Sequence, residues 1–491
     1  MPIVAVDDTD SRERGMCTTY VGARLAERLD AAGGRVRRRL LIRLNPAVKH
    51  KTRGNAAVAL HVAGIDGDTA FALASETVRE FAAADDPRTS PGVVVADVDL
   101  PPGDSGTAPD GVSTFDDIAV PDGVAAFARR ALRHRLSLDE ALTLADRHGF
   151  RHAAFGEGGA GTGASPGEAS PDSGAVAGRG RIGALAAIGA AVAFDDWTVE
   201  RISYRELDRC GTPRDVDVES VFAAADEWYP TVWDTVDRET GAAVCVPNAP
   251  GPILHGIRGD DAAACRAAAA AIESEPVERA ATFLTNQGTD AHLATGAIGA
   301  LRDGAGYRVD GVVASEPETK RGGHVHVDVV PPGAAAVPPG ADDAESAVTD
   351  AETTAPERLR CLAFKPTGRF RDRVRALRPG DRVTLCGEHE LRDVGGSRRS
   401  TLKLEKFAAR GLVRTEPAVP TCPDCGRSMS SAGRGQGYRC RDCDTAAPGK
   451  VDREIDRGLE RGWYEVPPSA RRHVAKPLVR GGFDAPIHPE R

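Results

Sequence analysis

Three aspartates, Asp7, Asp8 and Asp10, fall within four positions in "VDDTDSRERGMCTTY", residues 6–20. Clustered carboxylates are hard oxygen ligands suited to Mg²⁺. Gly15 follows and permits close approach of the backbone to a phosphate. Thr18 and Thr19 then fall at the start of an amphipathic stretch, where helix N–H groups and the helix dipole favour anions. A metal site, a phosphate cradle and a hydroxyl on one turn make a phosphoryl-transfer site, with Asp7, Asp8, Asp10 and Thr18 as its catalytic candidates. The same residues equally describe an Asp-rich loop with Thr18 as a helix N-cap.

Two further loops have phosphate-binding character. "NPAVKHKTRGN" gathers Lys49, Lys51, Arg53, Gly54 and Asn55, cations and a permissive backbone that suit a triphosphate; a solvated basic loop is the common alternative. "GRGRIGALAAIGA" places Gly178 and Gly180 before a small-residue helix, where backbone N–H groups accept phosphate. Close helix packing explains the same glycines.

The most specific spacing is "CPDCGRSMSSAGRGQGYRCRDC". Cys422, Cys425, Cys440 and Cys443 form two C-x-x-C knuckles, the pattern of a structural zinc ribbon with every coordination position filled. Disulfides or a redox motif are the competing reading. Arg427, Arg434, Arg439 and Arg441 surround the knuckles.

The elements that must position these residues follow from apolar periodicity. "MPIVAVDD" reads as a buried strand and "TTYVGARLAERLDAAGG" as a helix stopped by Gly33–Gly34. "RVRRRLLIRLNP" and "NAAVALHVAG" read as strands. Residues 123–148 read as two helices, the second with a Ser137/Glu140 capping box. After a Gly/Ser-rich insertion at 156–177, residues 215–305 mix strand-like and helical pieces, an α+β pattern. From 307 five strands appear, with a helix between the third and fourth, as suits an oligonucleotide-binding (OB) barrel. An acidic, proline-rich stretch at 331–357 interrupts them. In such a barrel Phe364, Phe370 and Arg369 are candidates for gripping a single strand, although both phenylalanines also suit a core.

The chain of 491 residues predicts three to five domains. It uses 8 lysines against 55 arginines and carries a net charge of −9, a composition that suggests a high-GC genome and a salt-rich cytoplasm. Charge is uneven: Arg358–Arg491 holds 29 Lys+Arg against 17 Asp+Glu, or +12, leaving −21 in front. A basic rear suggests a polyanionic partner. The C-terminal "ARRHVAKPLVR" adds Arg471, Arg472 and Lys476, either RNA contacts or a solvated tail. No apolar run is long enough to span a bilayer, and the N-terminus lacks the features of a signal peptide. A cytoplasmic protein with reduced cysteines is expected.

Taken in order, "VDDTDSRERGMCTTY", "NPAVKHKTRGN", "GRGRIGALAAIGA", "NAPGPILHGIRG", "FLTNQGTDAHL", "RGGHV", "AFKPTGRFRDRVRALRPGDRV", the paired knuckles and "ARRHVAKPLVR" resemble the archaeal isoleucine-tRNA agmatidine (2-agmatinylcytidine) synthetases, nearly end to end. The resemblance implies a multidomain α+β protein. Its parts are a kinase-like ATP-binding catalytic domain (1–155), a ferredoxin-like domain (178–305), an OB-fold barrel (306–415), a zinc ribbon (418–448) and a basic C-terminal tail (449–491). It implies an ATP-dependent ligase that joins agmatine to C2 of the wobble cytidine in the CAU anticodon, allowing AUA decoding. ATP activates the C2 oxygen by phosphorylation and ends as AMP with release of phosphate. By motif position Thr18 is the residue that becomes phosphorylated, with Thr19 the competing hydroxyl. ATP, Mg²⁺ and Zn²⁺ are the implied cofactors; isoleucine tRNA and agmatine are the partners, with no obligate protein partner evident.

On this reading ATP meets Gly15, Lys51, Arg53, Gly54, Asn55, Gly178 and Gly180. Agmatine, a guanidinium, needs oxygen acceptors, for which Asp195, Asp196, Asn286, Gln287, Thr289 and Asp290 are candidates. Arg369, Arg371, Arg439, Arg471, Arg472 and Lys476 are the candidates for tRNA. The rival classes are a non-enzymatic single-strand binder built on the barrel and ribbon, and a kinase-like ATPase without an RNA substrate.

Overall fold

The computed structural model describes residues 1–13, 15–48, 55–98, 118–156, 177–333, 357–472 and 474–491. Lys49, Lys51, Arg53 and Gly54 lie outside the described residues, as does most of both insertions. Among the described residues no helix is long and apolar enough to cross a membrane.

The front half is built on β1 (Pro2–Asp7), α1 (Thr18–Ala31), β2 (Arg35–Arg43), β3 (Ala56–Ala63), α2 (Gly67–Phe81), β4 (Gly92–Asp97), α3 (Asp122–Ala131), α4 (Leu138–Arg147) and β5 (Arg151–Ala154). It continues through α5 (Gly180–Ala193), β6 (Thr198–Tyr204), α6 (Val218–Glu227), β7 (Val232–Trp233), a small hairpin of β8 (Val236–Asp237) and β9 (Ala242–Ala243), β10 (Ile253–Gly259), α7 (Ala262–Ala271) and β11 (Arg279–Thr285). All of these strands but the hairpin form one sheet, ordered β5-β4-β1-β3-β2-β11-β6-β10-β7. Every pairing is antiparallel except β2 with β11. The regions expected as separate kinase-like and ferredoxin-like domains therefore share one hydrogen-bonded sheet, joined at Leu40–Leu284 and Leu41–Thr285.

Both faces of β1 are covered. Ile3 and Ala5 join the core under α3, α4 and α5; Val4 and Val6 join the core under α1 and α2. Alternate side chains point to opposite faces, so a strand buried on both sides reads as an unbroken apolar run. Helix α5 crosses β1 and β4 closely enough to demand glycine. A Cβ on Gly183 would lie 1.9 Å from Asp7 Oδ2, and one on Gly180 would lie 2.5 Å from Gly92 N.

The sheet directions create a functional edge. Strands β1, β2, β10 and β11 end at one edge of the sheet, and β3, β4 and β6 begin there. Strand ends and loops at that edge bring together Asp7–Glu13, Gly15, Arg43, Asn55, Ser90, Glu200, Arg258 and Asn286–Asp290.

In the rear half, β12 (Leu293–Gly296) leads into β13 (Gly306–Val313). The short β14 (Glu318–Thr319) then precedes β15 (Val325–Val330), β16 (Leu359–Ala363), α8 (Arg369–Arg375), β17 (Arg382–Val394) and β18 (Ser397–Gly411). The ring β13-β15-β16-β18-β17 closes on itself, with β16 and β18 parallel. A two-stranded neck of β19 (Thr415–Ala418) and β23 (Val451–Glu454) carries a small sheet of β20 (Ser430–Ser431), β21 (Tyr438–Arg439) and β22 (Ala446–Ala447).

The chain then returns. Strand β24 (Gly462–Glu465) pairs with β18, and β25 (Ile487–His488) pairs with β24. The expected basic tail is thus corrected: its later part is folded onto the barrel, with Trp463 and Leu478 buried.

Candidate active site at the sheet edge

Asp7 ends β1, and its Oδ1 accepts the Asp8 N–H at 2.7 Å. Asp8 sits at φ 59°, which turns the chain sharply off the strand. Asp7, Asp8 and Asp10 are all buried. Burial, then the charge of Asp8, pushes the Asp7 carboxyl well above the ordinary carboxylate range. Burial also raises Asp8, to about 6, against the opposing pull of Arg179. Arg179 Nη2 lies 2.5 Å from Asp8 Oδ2 and also donates to the Arg88 carbonyl. Among the described residues Asp8 Oδ1 is buried and makes no hydrogen bond within bonding geometry.

Thr18 is the first residue of α1, and Cys17 holds the N-cap position without a capping side chain. The Thr18 hydroxyl accepts from Thr9 Oγ1 at 3.1 Å and donates to Asp10 Oδ1 at 3.4 Å. Thr18 as N-cap is therefore corrected; its hydroxyl faces the carboxylates. Thr19 Oγ1 instead lies 3.0 Å from Cys17 Sγ. The loop is clamped by Ser11, whose hydroxyl donates to Asp86, and by Arg88, which pairs with Asp86 and Glu13.

The expected phosphate-binding glycines have other work. The Gly178 N–H donates to Ser90 Oγ and the Gly180 N–H to the Ser90 carbonyl, at 2.7 and 2.9 Å. These two N–H groups are consumed, and the packing explanation holds. A Cβ on Gly15 would lie 2.9 Å from the Pro250 carbonyl, so its close neighbour is the "NAPG" loop. Asn55 donates to the Asn45 carbonyl at 2.6 Å and closes the base of its own loop.

The segment 286–290 is likewise committed. Asn286 exchanges two hydrogen bonds with the Arg43 backbone, at 2.8 and 3.0 Å, and Gln287 Oε1 accepts from Arg43 Nε at 2.7 Å. Thr289 donates to the Asn286 carbonyl. Asp290 accepts from Lys406 Nζ at 2.9 Å, which joins the edge to the barrel. Asp195 and Asp196 are both exposed, and Asp196 pairs with Arg480 at 3.0 Å. These contacts make 286–290 a positioning segment rather than a set of open acceptors for agmatine.

Cys422, Cys425, Cys440 and Cys443 converge with all four sulfurs within 4.8 Å of one another. Among the described residues this is the one set of three or more such ligands gathered so tightly, so Asp7, Asp8 and Asp10 do not all converge on one point. The knuckle turn is held by Cys422 N to the Arg427 carbonyl and Cys440 N to the Thr445 carbonyl, at 2.8 and 2.9 Å. Four thiols around one centre fit tetrahedral zinc.

Several expected tRNA contacts face inward. Arg471 is buried, its Nε 2.7 Å from Asp234 Oδ2 and its Nη1 2.8 Å from Glu465 Oε2. Arg369 is held by Glu490, Glu239 and Asp237. Arg371 donates to the Gly323 carbonyl at 2.5 Å. Arg472 pairs with Glu388, and Lys476 is half-buried with its Nζ over Phe483. Buried guanidiniums demand carboxylates, so the burial of Arg471 reflects docking of this segment, which corrects it as a phosphate contact. Arg439 remains exposed. Of the two phenylalanines, Phe370 is buried in the barrel core and Phe364 is half-buried against His324.

Sequence reading missed Arg179, Ser90, Arg43, Glu200 and Arg258, which are far apart in sequence and meet only in the fold. Arg179 was within reach, since it stands inside the glycine motif already singled out.

Residues 3–157 match the TiaS TCKD domain, 178–292 the TiaS FLD domain and 419–459 the TiaS C-terminal zinc ribbon domain. The isoleucine-tRNA 2-agmatinylcytidine synthetase TiaS of Haloquadratum walsbyi is 48% identical over 507 residues, covering 100% of both chains. Crystal structures of TiaS in complex with its isoleucine tRNA and ATP, and with that tRNA, AMPCPP and agmatine, are 35% and 33% identical. Their TM-scores are 0.77 and 0.74, each over 100% of this chain and 99% of the other. With similarity running end to end in sequence and in structure, the chain belongs to the isoleucine-tRNA 2-agmatinylcytidine synthetase family.

Proposed function

We propose that this protein joins agmatine to C2 of the wobble cytidine of isoleucine tRNA in an ATP-dependent reaction, with the phosphoryl chemistry at the Thr18 loop. The observation that carries the site is the Thr18 hydroxyl, which donates to Asp10 beside the buried Asp7–Asp8 pair. A hydroxyl hydrogen-bonded to a carboxylate is a nucleophile with its proton acceptor in place. Thr19 has a thiol for a neighbour instead, which favours Thr18. A non-enzymatic binder has no use for three buried carboxylates at a strand end, because each costs stability unless paired.

Asp7 and Asp8 are the residues that would hold Mg²⁺. The fit rests on two adjacent buried carboxylates, with Asp8 Oδ1 unpaired among the described residues. When bound, Mg²⁺ supplies charge neutralisation at the transferring phosphoryl group. Arg179 holds the other Asp8 oxygen and fixes that carboxylate's orientation. The base must leave the anticodon stack to reach this edge.

The closed five-stranded ring, with its helix after the third strand, supports assignment of residues 306–415 as an OB-fold. The shared sheet supports a kinase-like unit at 1–155 continued by a ferredoxin-like unit at 178–305. The ribbon at 418–448 would hold zinc and, with exposed Arg439, touch RNA. Incubating the protein with isoleucine tRNA, ATP and agmatine and weighing the tRNA tests the function. An unchanged tRNA mass would refute it.

A further inference from the structure

We propose that Arg43 and Arg258, joined through Glu200, form a phosphate-binding site at the same sheet edge, distinct from the carboxylates of the Thr18 loop; this rests on the ATP- and tRNA-dependent reading above. Arg43 ends β2, Arg258 lies near the end of β10, and Glu200 near the start of β6 stands between them. Arg258 and Glu200 are cross-strand partners. Arg43 Nη2 lies 3.5 Å from Glu200 Oε2, and Arg258 Nε lies 3.3 Å from Glu200 Oε1.

Charge and geometry together point to an anion. Two guanidiniums face one carboxylate. Both contacts with Glu200 are long. By comparison, the buried Arg205–Glu275 pair closes as a fork at 2.6 and 2.8 Å, the geometry of a finished structural ion pair. Among the described residues Nη1 and Nη2 of Arg258 make no hydrogen bond or ion pair. The Arg258 side chain is 15% exposed and Arg43 22%, with Glu200 beneath them at 4%.

Glu200 is therefore a positioning residue that holds two guanidiniums side by side without using up the terminal donors of Arg258. A planar fork presented at a sheet edge matches phosphate oxygens. A guanidinium ligand such as agmatine is disfavoured there by like charge. Gly256 leaves room for the Glu200 carboxylate: a Cβ there would come within 3.1 Å of Glu200 Oε1. The phosphate has two sources in the reaction, a backbone phosphodiester of the tRNA and the ATP chain.

The test uses the full-length protein and Arg258→Gln. Binding of isoleucine tRNA without nucleotide is measured across a salt series, and binding of AMPCPP is measured without tRNA. A roughly tenfold loss in one arm is expected. If the loss is in tRNA, the log–log salt slope falls by about one unit or slightly less; if it is in AMPCPP, the triphosphate is the ligand. Arg258→Lys keeps the charge but not the fork and should show a smaller loss in the same arm; it carries the test should the glutamine variant not fold. Wild-type binding in both arms by a folded variant overturns the site. Inorganic phosphate, titrated against both proteins by thermal shift, separates the two levels of inference. An equal response overturns the site, and a wild type indifferent to tRNA and nucleotide overturns the functional reading alone.

Discussion

Arg179 and Asp8 stand 171 residues apart in the chain and 2.5 Å apart in space. The contact links the start of α5 to the end of β1, across the segment that includes the Gly/Ser-rich insertion. It makes Arg179 the counter-ion for a carboxylate that burial drives toward protonation. Arg179→Ala should therefore lower modification at least tenfold at neutral pH while leaving α5 in place, since that helix is held by its apolar face. Mg²⁺ titration monitored by calorimetry, without tRNA, is the independent readout. Unchanged metal binding and activity would remove Arg179 from the site.

Asp7→Asn should stabilise the ligand-free protein and abolish catalysis. The Asp7 carboxyl has its acidity suppressed by burial and by Asp8. A raised folded-state value means the group's stabilising contribution is complete at low pH and is lost as pH rises through that value. The amide removes the buried charge and keeps an acceptor for the Asp8 N–H. The variant's thermal midpoint should match wild type near pH 4 and exceed it by several degrees at pH 8. A lower midpoint at pH 8 would mean Asp7 is compensated in the folded protein.

Thr18→Ala and Asp8→Ala should each abolish modification while tRNA binding survives. Thr19→Ala should retain most activity, because its hydroxyl faces Cys17. Phosphopeptide mapping after incubation with ATP distinguishes the two threonines directly. Full agmatidine formation by Thr18→Ala would refute the assignment.

The local elements were readable because local rules govern them. Strand β1 followed from its branched apolar run, α1 stopped before Gly33–Gly34, and Ser137 caps α4 by accepting the Glu140 N–H. Helix α2 went unread although Asp66 is its N-cap, accepting from Thr69 at 2.8 Å. The site was half legible. Asp7, Asp8, Asp10 and Thr18 are neighbours in sequence. Glu200, Arg43 and Arg258 become neighbours only through the strand order β2-β11-β6-β10, which no local pattern encodes. Cation density at the C-terminus misled for the converse reason, because composition does not distinguish an arginine facing RNA from one facing a buried glutamate.

Cys422→Ser should cut bound zinc well below one per chain and weaken tRNA binding more than ATP hydrolysis. The ribbon's own core is only Cys422, Met429 and Cys440, with Tyr438 and Ala447 beside them. So small a cluster cannot offset its chain entropy without metal. The barrel has a separate core and should stay folded. Undiminished zinc content would contradict the site.

Arg471 and Arg439 should behave oppositely when replaced by alanine. Arg471 is buried between Asp234 and Glu465, so its loss strands two carboxylates and should cost about 3–5 kcal/mol of stability. The Asp234 contact also fastens the returning C-terminal segment to the front sheet. Arg471→Ala should thus lower the thermal midpoint sharply, and any loss of tRNA affinity should leave the salt slope unchanged. Arg439 is exposed on the ribbon with no ion pair among the described residues. Its replacement should leave the midpoint unchanged and reduce tRNA affinity, with a salt slope smaller by about one unit or less. Melting curves and tRNA titrations across a salt series on both variants decide the matter. A reduced slope for Arg471→Ala at an unchanged midpoint would show that this arginine reaches the RNA after all.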